Sequence, residues 1–518
     1  MWPEPSILSR KEPSLLVNSP PASTPGRAYH IVTLGCSKNR VDSDGMDHLL
    51  RQRGMAAAPR PGDARVVIVN TCGFLGAARA ESVGVIEALL EDRRDDQVVI
   101  AAGCMPALGD YRNDLPAGVD RVLTTREWYK IGDIVGDLLG EPAQPEVAGC
   151  EGMLTTFSRA DAGPSAYVKV ADGCDHNCAF CTIPSIKGRQ VSKRPLHVIQ
   201  EIVDVVAGGT KEVVLVAQDT IRYGADLGMK HGLPQLLEMI VEQVPNLPWL
   251  RLLYIYPSPL TLRMVDVMAQ HDALLPYLDM PIQHADRDIL RRMNRPSSVD
   301  MTRRLVDHAR TTLSDVTMRT TLIVGYPGET DAQFQTLLRF VEEMAFDHVG
   351  VFTYSPEPGT KAATLDATPV PAEVAEERRN TIMEAQQTIS LRKNRELVGR
   401  TLEILIEAQG EAEDEAGQIE PISVGRARRH APEVDGLVFL PGAQSIGQVI
   451  PATVTEAGPY DLWARPLGPR SQADRRIPLA AARAARRRRV GANRSRGVIR
   501  LERRGQDQPA SLARPAGT

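Results

Sequence analysis

Cysteine is scarce in this chain: seven among 518 residues, and an odd number. That density is far below a disulfide scaffold's, and an odd count excludes complete internal pairing. Aromatic residues are also few, at 4%. No run of about eighteen apolar residues is present, so no segment reads as a membrane-spanning helix. The Pro- and Ser-rich start, Met1 to Arg27, lacks the continuous apolar stretch of a secretory signal. Together these absences predict a soluble, cytoplasmic protein with no membrane partner.

The length exceeds what one hydrophobic core usually serves, which predicts two to four domains. The formal net charge is -4, yet from Arg470 onward fourteen Arg face three Asp or Glu, a surplus of +11; removing it leaves -15 on the remainder. A basic tail is therefore joined to an acidic body.

Apolar runs divide the chain. In residues 29–140 the runs YHIVTLG, RVVIVNT, QVVIAAG and DRVLTT alternate with helical patterns starting near Asp42, Gly76 and Glu127. Strand and helix at this spacing predict βαβ units and a doubly wound parallel sheet. A Pro/Gly/Ala-rich linker, 141–163, follows. Residues 164–396 carry a second series, AYVKVADG, EVVLVAQD, LRLLYIYP, YLDMPIQH, TLIVGYPG and HVGVFTYS. Six such repeats predict a partial (β/α)6 barrel. Short β-type runs in 397–467 predict a small five-stranded β-barrel. The start, 1–28, and the Arg-rich tail, 468–518, are expected to be disordered, having too few apolar residues for a core. The class is thus α/β and multidomain.

The sharpest local signal is Cys174-Asp-His-Asn-Cys178-Ala-Phe-Cys181, a CxxxCxxC run directly after the first barrel strand. Three thiolates on one short loop can hold three irons of a cubane cluster and leave the fourth open. Structural zinc is the alternative, but it wants four ligands and usually arrives in CxxC-type pairs; His176 could serve as a fourth only in a strained loop. A second constellation is dispersed in sequence. Cys36, Cys72 and Cys104 each follow one of the first three apolar runs, at the carboxyl edge where open α/β sheets bind ligands. One buried cysteine is usually inert, but three at equivalent strand ends predict a second cluster. Cys150 fits neither set.

These residues resemble the methylthiotransferase family of radical S-adenosylmethionine (radical-SAM) enzymes, and within it the enzymes that modify an aspartate of a ribosomal protein. The resemblance covers about Tyr29 to Leu467. It is carried by TLGCSKNRVDSD, NTCGF, AGC, YVKVADGCDHNCAFCTIPSIKGRQVSKRP, QDTIRYGADL, YLDMPIQHAD, LIVGYPGET, FTYSPEPGT and GRARRHAPEVDG. It implies an N-terminal methylthiotransferase domain, a radical-SAM barrel and a C-terminal TRAM barrel. It assigns an auxiliary [4Fe-4S] cluster to Cys36, Cys72 and Cys104 and the radical-SAM [4Fe-4S] cluster to Cys174, Cys178 and Cys181, with S-adenosyl-L-methionine as cofactor. No catalytic residue is assigned beyond these ligands.

Phe180 packs in the interior or, by the resemblance, lies beside the adenine. Gly325 and Gly328 line the cofactor pocket or serve a strand-to-helix turn. Gln218 and Asp219 end a barrel strand, where a cofactor or substrate role is favoured. Glu329 caps the next helix or touches a ligand. The implied reaction is methylthiolation of an aspartate β-carbon in the small-subunit ribosomal protein S-twelve, on the free protein or the assembled subunit. An electron-donor protein such as flavodoxin or ferredoxin is implied as partner, and the β-barrel and Arg-rich tail can meet ribosomal RNA. The alternatives are methylthiolation of an adenosine in transfer RNA, whose enzymes typically have Gln-Met-Asn where Ser37-Lys38-Asn39 stands here, and a non-catalytic RNA-binding protein with structural metal sites.

Overall fold

The computed structural model describes residues 26–109, 114–141, 152–159, 162–295, 299–413, 418–467 and 499–502. The chain divides into two compact units between Lys393 and Asn394. No helix among the described residues is long and apolar enough to cross a membrane.

The N-terminal part runs β1 (Ala28–Thr33), α1 (Ser37–Gln52), β2 (Ala56–Ala57), β3 (Val66–Thr71), α2 (Gly76–Glu91), β4 (Val98–Gly103), β5 (Arg121–Thr124) and α3 (Ile131–Leu138). Its sheet has the order β2-β1-β3-β4-β5 with every pairing parallel. All six residues of β3 are buried, as a central parallel strand covered on both faces requires. Strand order reverses between β1 and β3, so the crevice that such sheets use for ligands opens there, at the carboxyl edge. Helix α1 starts at Ser37 rather than near Asp42, directly after the extended Cys36. Its early turns bury Ser37, Lys38, Asn39, Asp42 and Ser43, a polar face that gives no amphipathic signal.

The barrel follows as β6 (Ser165–Lys169), β7 (Ala171–Asp172), α4 (Ile183–Lys187), β8 (Val191–Ser192), α5 (Pro195–Ala207), β9 (Glu212–Val216), α6 (Gly232–Gln243), β10 (Trp249–Leu252), α7 (Pro259–Met268), β11 (Tyr277–Asp279), α8 (Arg287–Arg292), α9 (Val299–Thr312), β12 (Thr317–Val324), α10 (Asp331–Met344), β13 (His348–Thr353) and α11 (Ala372–Arg395). Two parallel three-stranded sheets, β10-β9-β6 and β11-β12-β13, contain the six anticipated barrel strands. The Ile255 N–H donates to the Asp279 carbonyl at 2.8 Å and links the two halves. One apolar cluster runs from Ala166 through Leu237 and Met280 to Ile389, so the barrel encloses a packed core.

The N-terminal sheet and the barrel belong to one compact unit, Ser23–Lys393. Part of the segment read as linker contributes to this: Phe157 is buried, meets Trp128 edge-on at 6.0 Å, and donates its N–H to Glu201 on α5. Cys150 lies outside the described residues.

The second unit contains β14 (Thr401–Glu413), β15 (Ile419–Ala427), β16 (Val438–Pro441), β17 (Val449–Ala457), β18 (Leu462–Pro466) and β19 (Ile499–Glu502). The order β15-β16-β18-β17-β14 closes on itself through β15–β14, giving the small five-stranded barrel. Of the tail, Ile499–Glu502 forms β19, which pairs antiparallel with Gln409–Ala412 of β14. β17 reaches only Thr401–Leu405, which leaves that stretch of β14 open on one edge. A short strand needs only free edge groups, not a core of its own, so composition averaged over the tail conceals it.

Candidate functional site

Cys36, Cys72 and Cys104 follow β1, β3 and β4, three neighbouring strands at the reversal of strand order. All three are free thiols. Their arrangement depends on close backbone approach. Gly35 has φ +90, and a Cβ there would stand 2.8 Å from Cβ and 3.0 Å from Sγ of Cys72. Burial pushes the Cys104 thiol up to about 12, with Lys187 opposing and Cys36 and Cys72 reinforcing the shift. Burial likewise raises Cys72, opposed by the Phe74 N–H and reinforced by Cys36. The thiols thus resist one another's ionisation, a repulsion that bound iron would relieve.

Gly35→Ala is accordingly expected to halve the iron content, from about eight to about four per chain, while all six free thiols remain. Iron and thiol assays on the reconstituted protein test this; a full complement of iron would show that the close approach is dispensable.

The second triad occupies the loop after β6 and β7. Burial pushes Cys174 up to about 11 and Cys181 up to about 12, with mutual thiol repulsion adding to both and Arg295 opposing. Arg295 donates to Cys178 Sγ at 3.5 Å, and the Ile183 N–H donates to Cys181 Sγ at 3.5 Å. The loop is pinned by Ala179, whose N–H reaches the Met293 carbonyl at 2.9 Å and whose carbonyl accepts from Ala362 at 2.8 Å. Among the described residues no three or more His, Cys, Asp or Glu side chains close around the point a single metal ion would occupy. Donor chemistry fits iron–sulfur clusters: two sets of three free thiols, with N–H or guanidinium donors aimed at sulfur.

His176 does not serve as a fourth ligand. Its Nε2 lies 2.7 Å from Asp219 Oδ2, and its ring stacks on Tyr256 at 4.5 Å. Gln218 Nε2 donates to Asp172 Oδ1 at 2.8 Å. Gln218 Oε1 and Asp219 Oδ1 are both buried without a hydrogen-bond partner among the described residues. Two orphaned acceptors beside the radical loop fit a cofactor bearing amino and hydroxyl donors. Phe180 is half-buried and packs in an apolar cluster with Ile289, Met293 and Tyr326. Gly325 has φ +73 and a Cβ there would meet Ala375 at 2.5 Å; its N–H and that of Tyr326 donate to the buried Glu329 carboxylate. The structure places Gly325 and Glu329 in a turn that they jointly fix.

Sequence reasoning missed the seam between sheet and barrel. Lys169 of β6 and Lys187 of α4 both contact Asp42 of α1 and Asp172, with Lys187–Asp42 at 3.2 Å, Lys187–Asp172 at 3.1 Å and Lys169–Asp172 at 2.9 Å. None of these four side chains is more than 2% exposed. Lys187 also donates to Thr125 at 2.5 Å. Elsewhere on the seam, Glu357 pairs with Arg79 at 2.7 Å and accepts the Gly76 N–H at 2.9 Å. Lys38 lies 3.2 Å from the centroid of the Tyr254 ring, and Ser37 Oγ lies 3.5 Å from the Tyr254 hydroxyl. The Tyr254 carbonyl accepts from Thr220, next to the Asp219 that holds His176. Contacts therefore lead from one cysteine loop to the other. The one sequence signal was Lys169, a charge inside the apolar run AYVKVADG.

Residues 28–117 match the Uncharacterized protein family UPF0004, 168–341 the Radical SAM superfamily and 398–467 the TRAM domain. A Roseiflexus sp. (strain RS-1) protein named ribosomal protein uS12 methylthiotransferase RimO is 43% identical over 458 residues, 84% of this chain and 96% of that one. Its namesake from Chloroflexus aurantiacus is 44% identical over 457 residues, 85% of this chain and 99% of that one. The solved radical S-adenosylmethionine methyltransferase TsrM of Kitasatospora setae, with cobalamin and a [4Fe-4S] cluster bound, overlaps at TM-score 0.47 and 15% identity, covering 65% of this chain and 77% of that one. Identity at this level along nearly the whole length of the two relatives shows the family: the chain belongs to the RimO family of ribosomal protein uS12 methylthiotransferases.

Proposed function

We infer that this chain is a cytoplasmic radical S-adenosylmethionine methylthiotransferase that places a methylthio group on the β-carbon of an aspartate in ribosomal protein uS12. Membership of the RimO family supports the reaction class. The observation that carries the reading is the pair of free-thiol triads on one compact unit, linked through Ser37, Lys38 and Tyr254. When bound, two [4Fe-4S] clusters and S-adenosylmethionine supply the one-electron and sulfur chemistry that an unactivated C–H bond requires.

The protein's part is to bind, orient and exclude water. Cys174, Cys178 and Cys181 hold one cluster, and Cys36, Cys72 and Cys104 the other. Gln218 Oε1 and Asp219 Oδ1 would accept hydrogen bonds from S-adenosylmethionine, and Phe180 would help to hold its adenine. The buried charges of the seam keep the two cluster loops in fixed register. A one-electron donor of the flavodoxin or ferredoxin class supplies the reductant.

Mass spectrometry of small-subunit ribosomal proteins from cells with and without the gene tests the reading. A methylthio increment on one uS12 aspartate, present only with the gene, is the expected result. An unchanged uS12 alongside loss of methylthio-adenosine from transfer RNA would transfer the activity to RNA.

The TRAM barrel and the Arg-rich tail offer contact with ribosomal RNA around the uS12 site. Deleting residues 472–518 is expected to weaken ribosome association several-fold and to flatten its salt dependence, read by co-sedimentation across a salt series. Unchanged, salt-insensitive association would remove the tail from recruitment.

A further inference from the structure

We propose that Lys38 receives the carboxylate of the aspartate being modified and thereby selects an acidic side chain, an inference that rests on the uS12 reading above. Lys38 violates three local rules at once. It is 8% exposed, so a full positive charge is withdrawn from water. It stands in the first turn of α1, where the helix dipole disfavours a cation and where no acidic residue offsets it. Among the described residues it has no carboxylate within ion-pair distance; its close partner is the face of the Tyr254 ring. Such a group is retained at a cost unless an anion completes it.

Asp279, the carboxylate among the groups that act on Lys38, is already engaged: Oδ1 with Arg319 at 2.9 Å and Oδ2 with the Tyr254 N–H at 3.1 Å. Tyr254 itself has φ 61, a left-handed conformation unusual for a bulky residue, and its backbone is tied on both sides, to Asp279 and to Thr220. Strain fixed in this way places the ring under the ammonium group. Cys36, two residues earlier, is exposed, so a polypeptide can reach the neighbouring end of this loop. The chemistry favours the substrate's own carboxylate as occupant. It is bonded directly to the β-carbon that reacts, so one charge-assisted contact fixes the reacting atom to within a bond length beside the auxiliary thiols.

The test uses the full-length protein reconstituted with both clusters, a uS12-derived peptide, and its Asp→Asn counterpart. Binding is measured without reductant, and methylthiolation separately. The wild type is expected to bind the Asp peptide about ten- to a hundredfold more tightly than the Asn peptide. Lys38→Met is expected to lose that preference with iron content and cluster absorption unchanged, and Lys38→Arg to keep most of it. A wild type that binds both peptides equally would overturn the proposal without recourse to any variant. So would a Lys38→Met protein that retains the preference, or one whose only change is in the iron content or reduction potential of the auxiliary cluster, which would assign the charge to the thiols instead. A wild type that neither binds nor modifies the Asp peptide, or uS12 itself, would remove the uS12 reading first.

Discussion

Asp42→Asn is expected to destabilise the Ser23–Lys393 unit by about 3–5 kcal/mol, the cost of leaving buried charge without its partner. Asp42 and Asp172 together balance Lys169 and Lys187, two charges of each sign in a site where no side chain is more than 2% exposed. Removing one carboxylate leaves two ammonium groups facing the single Asp172. The loss falls on the junction rather than on either core, because Asp42 belongs to the N-terminal sheet's first helix and its partners to the barrel. Urea unfolding of the wild type and the variant checks the magnitude; a difference below about 1 kcal/mol would reduce these contacts to the level of a surface pair. Adding Lys187→Met to Asp42→Asn is expected to recover part of the loss, since one positive charge and one negative charge then remain.

The same cluster gives the unit its acid sensitivity. Burial alone would raise the Asp172 carboxyl, but Lys169 and Lys187 outweigh it and hold the group well below the usual carboxylate range. A carboxyl depressed in the folded state contributes stability that is fully present above its unfolded value of about 4. That contribution is lost progressively as pH falls from there through the folded value. Urea midpoints are therefore expected to decline into acid below about pH 4 rather than around neutrality.

Sequence patterns expose these features unequally. Parallel strands buried on both faces read as continuous apolar runs, so RVVIVNT and QVVIAAG announce β3 and β4, and a cysteine directly after each run is placed at the sheet edge without further information. Charged residues give no such cue, because Asp42 or Lys187 looks the same in a sequence whether it faces water or another domain. One local inconsistency hints otherwise, Lys169 within a buried strand. The conformation of Tyr254 and the commitment of His176 to Asp219 depend on neighbours distant in sequence, and no periodicity reports them. The strand Ile499–Glu502 escapes for a different reason: it completes an edge left by β17, a condition set in another part of the chain.

Cys104→Ala is expected to abolish methylthiolation while leaving reductive cleavage of S-adenosylmethionine intact. The thiol is buried, 7% exposed, among Leu108 and Ile186, so alanine suits the apolar surroundings and the fold is retained. What disappears is one of three sulfur donors at the reversal of strand order, and with it the auxiliary iron. Iron is expected to fall from about eight to about four per chain, with 5'-deoxyadenosine still formed on addition of reductant. Cys178→Ala should give the complementary pattern: about four irons again, but no 5'-deoxyadenosine. Arg295, which donates to Cys178 Sγ at 3.5 Å in the wild type, then faces no thiolate. Iron analysis, product chromatography and peptide mass spectrometry on the two variants separate the roles of the triads. Full iron in Cys104→Ala, or loss of 5'-deoxyadenosine in both variants alike, would contradict a division of labour in which one triad serves cofactor cleavage and the other sulfur transfer.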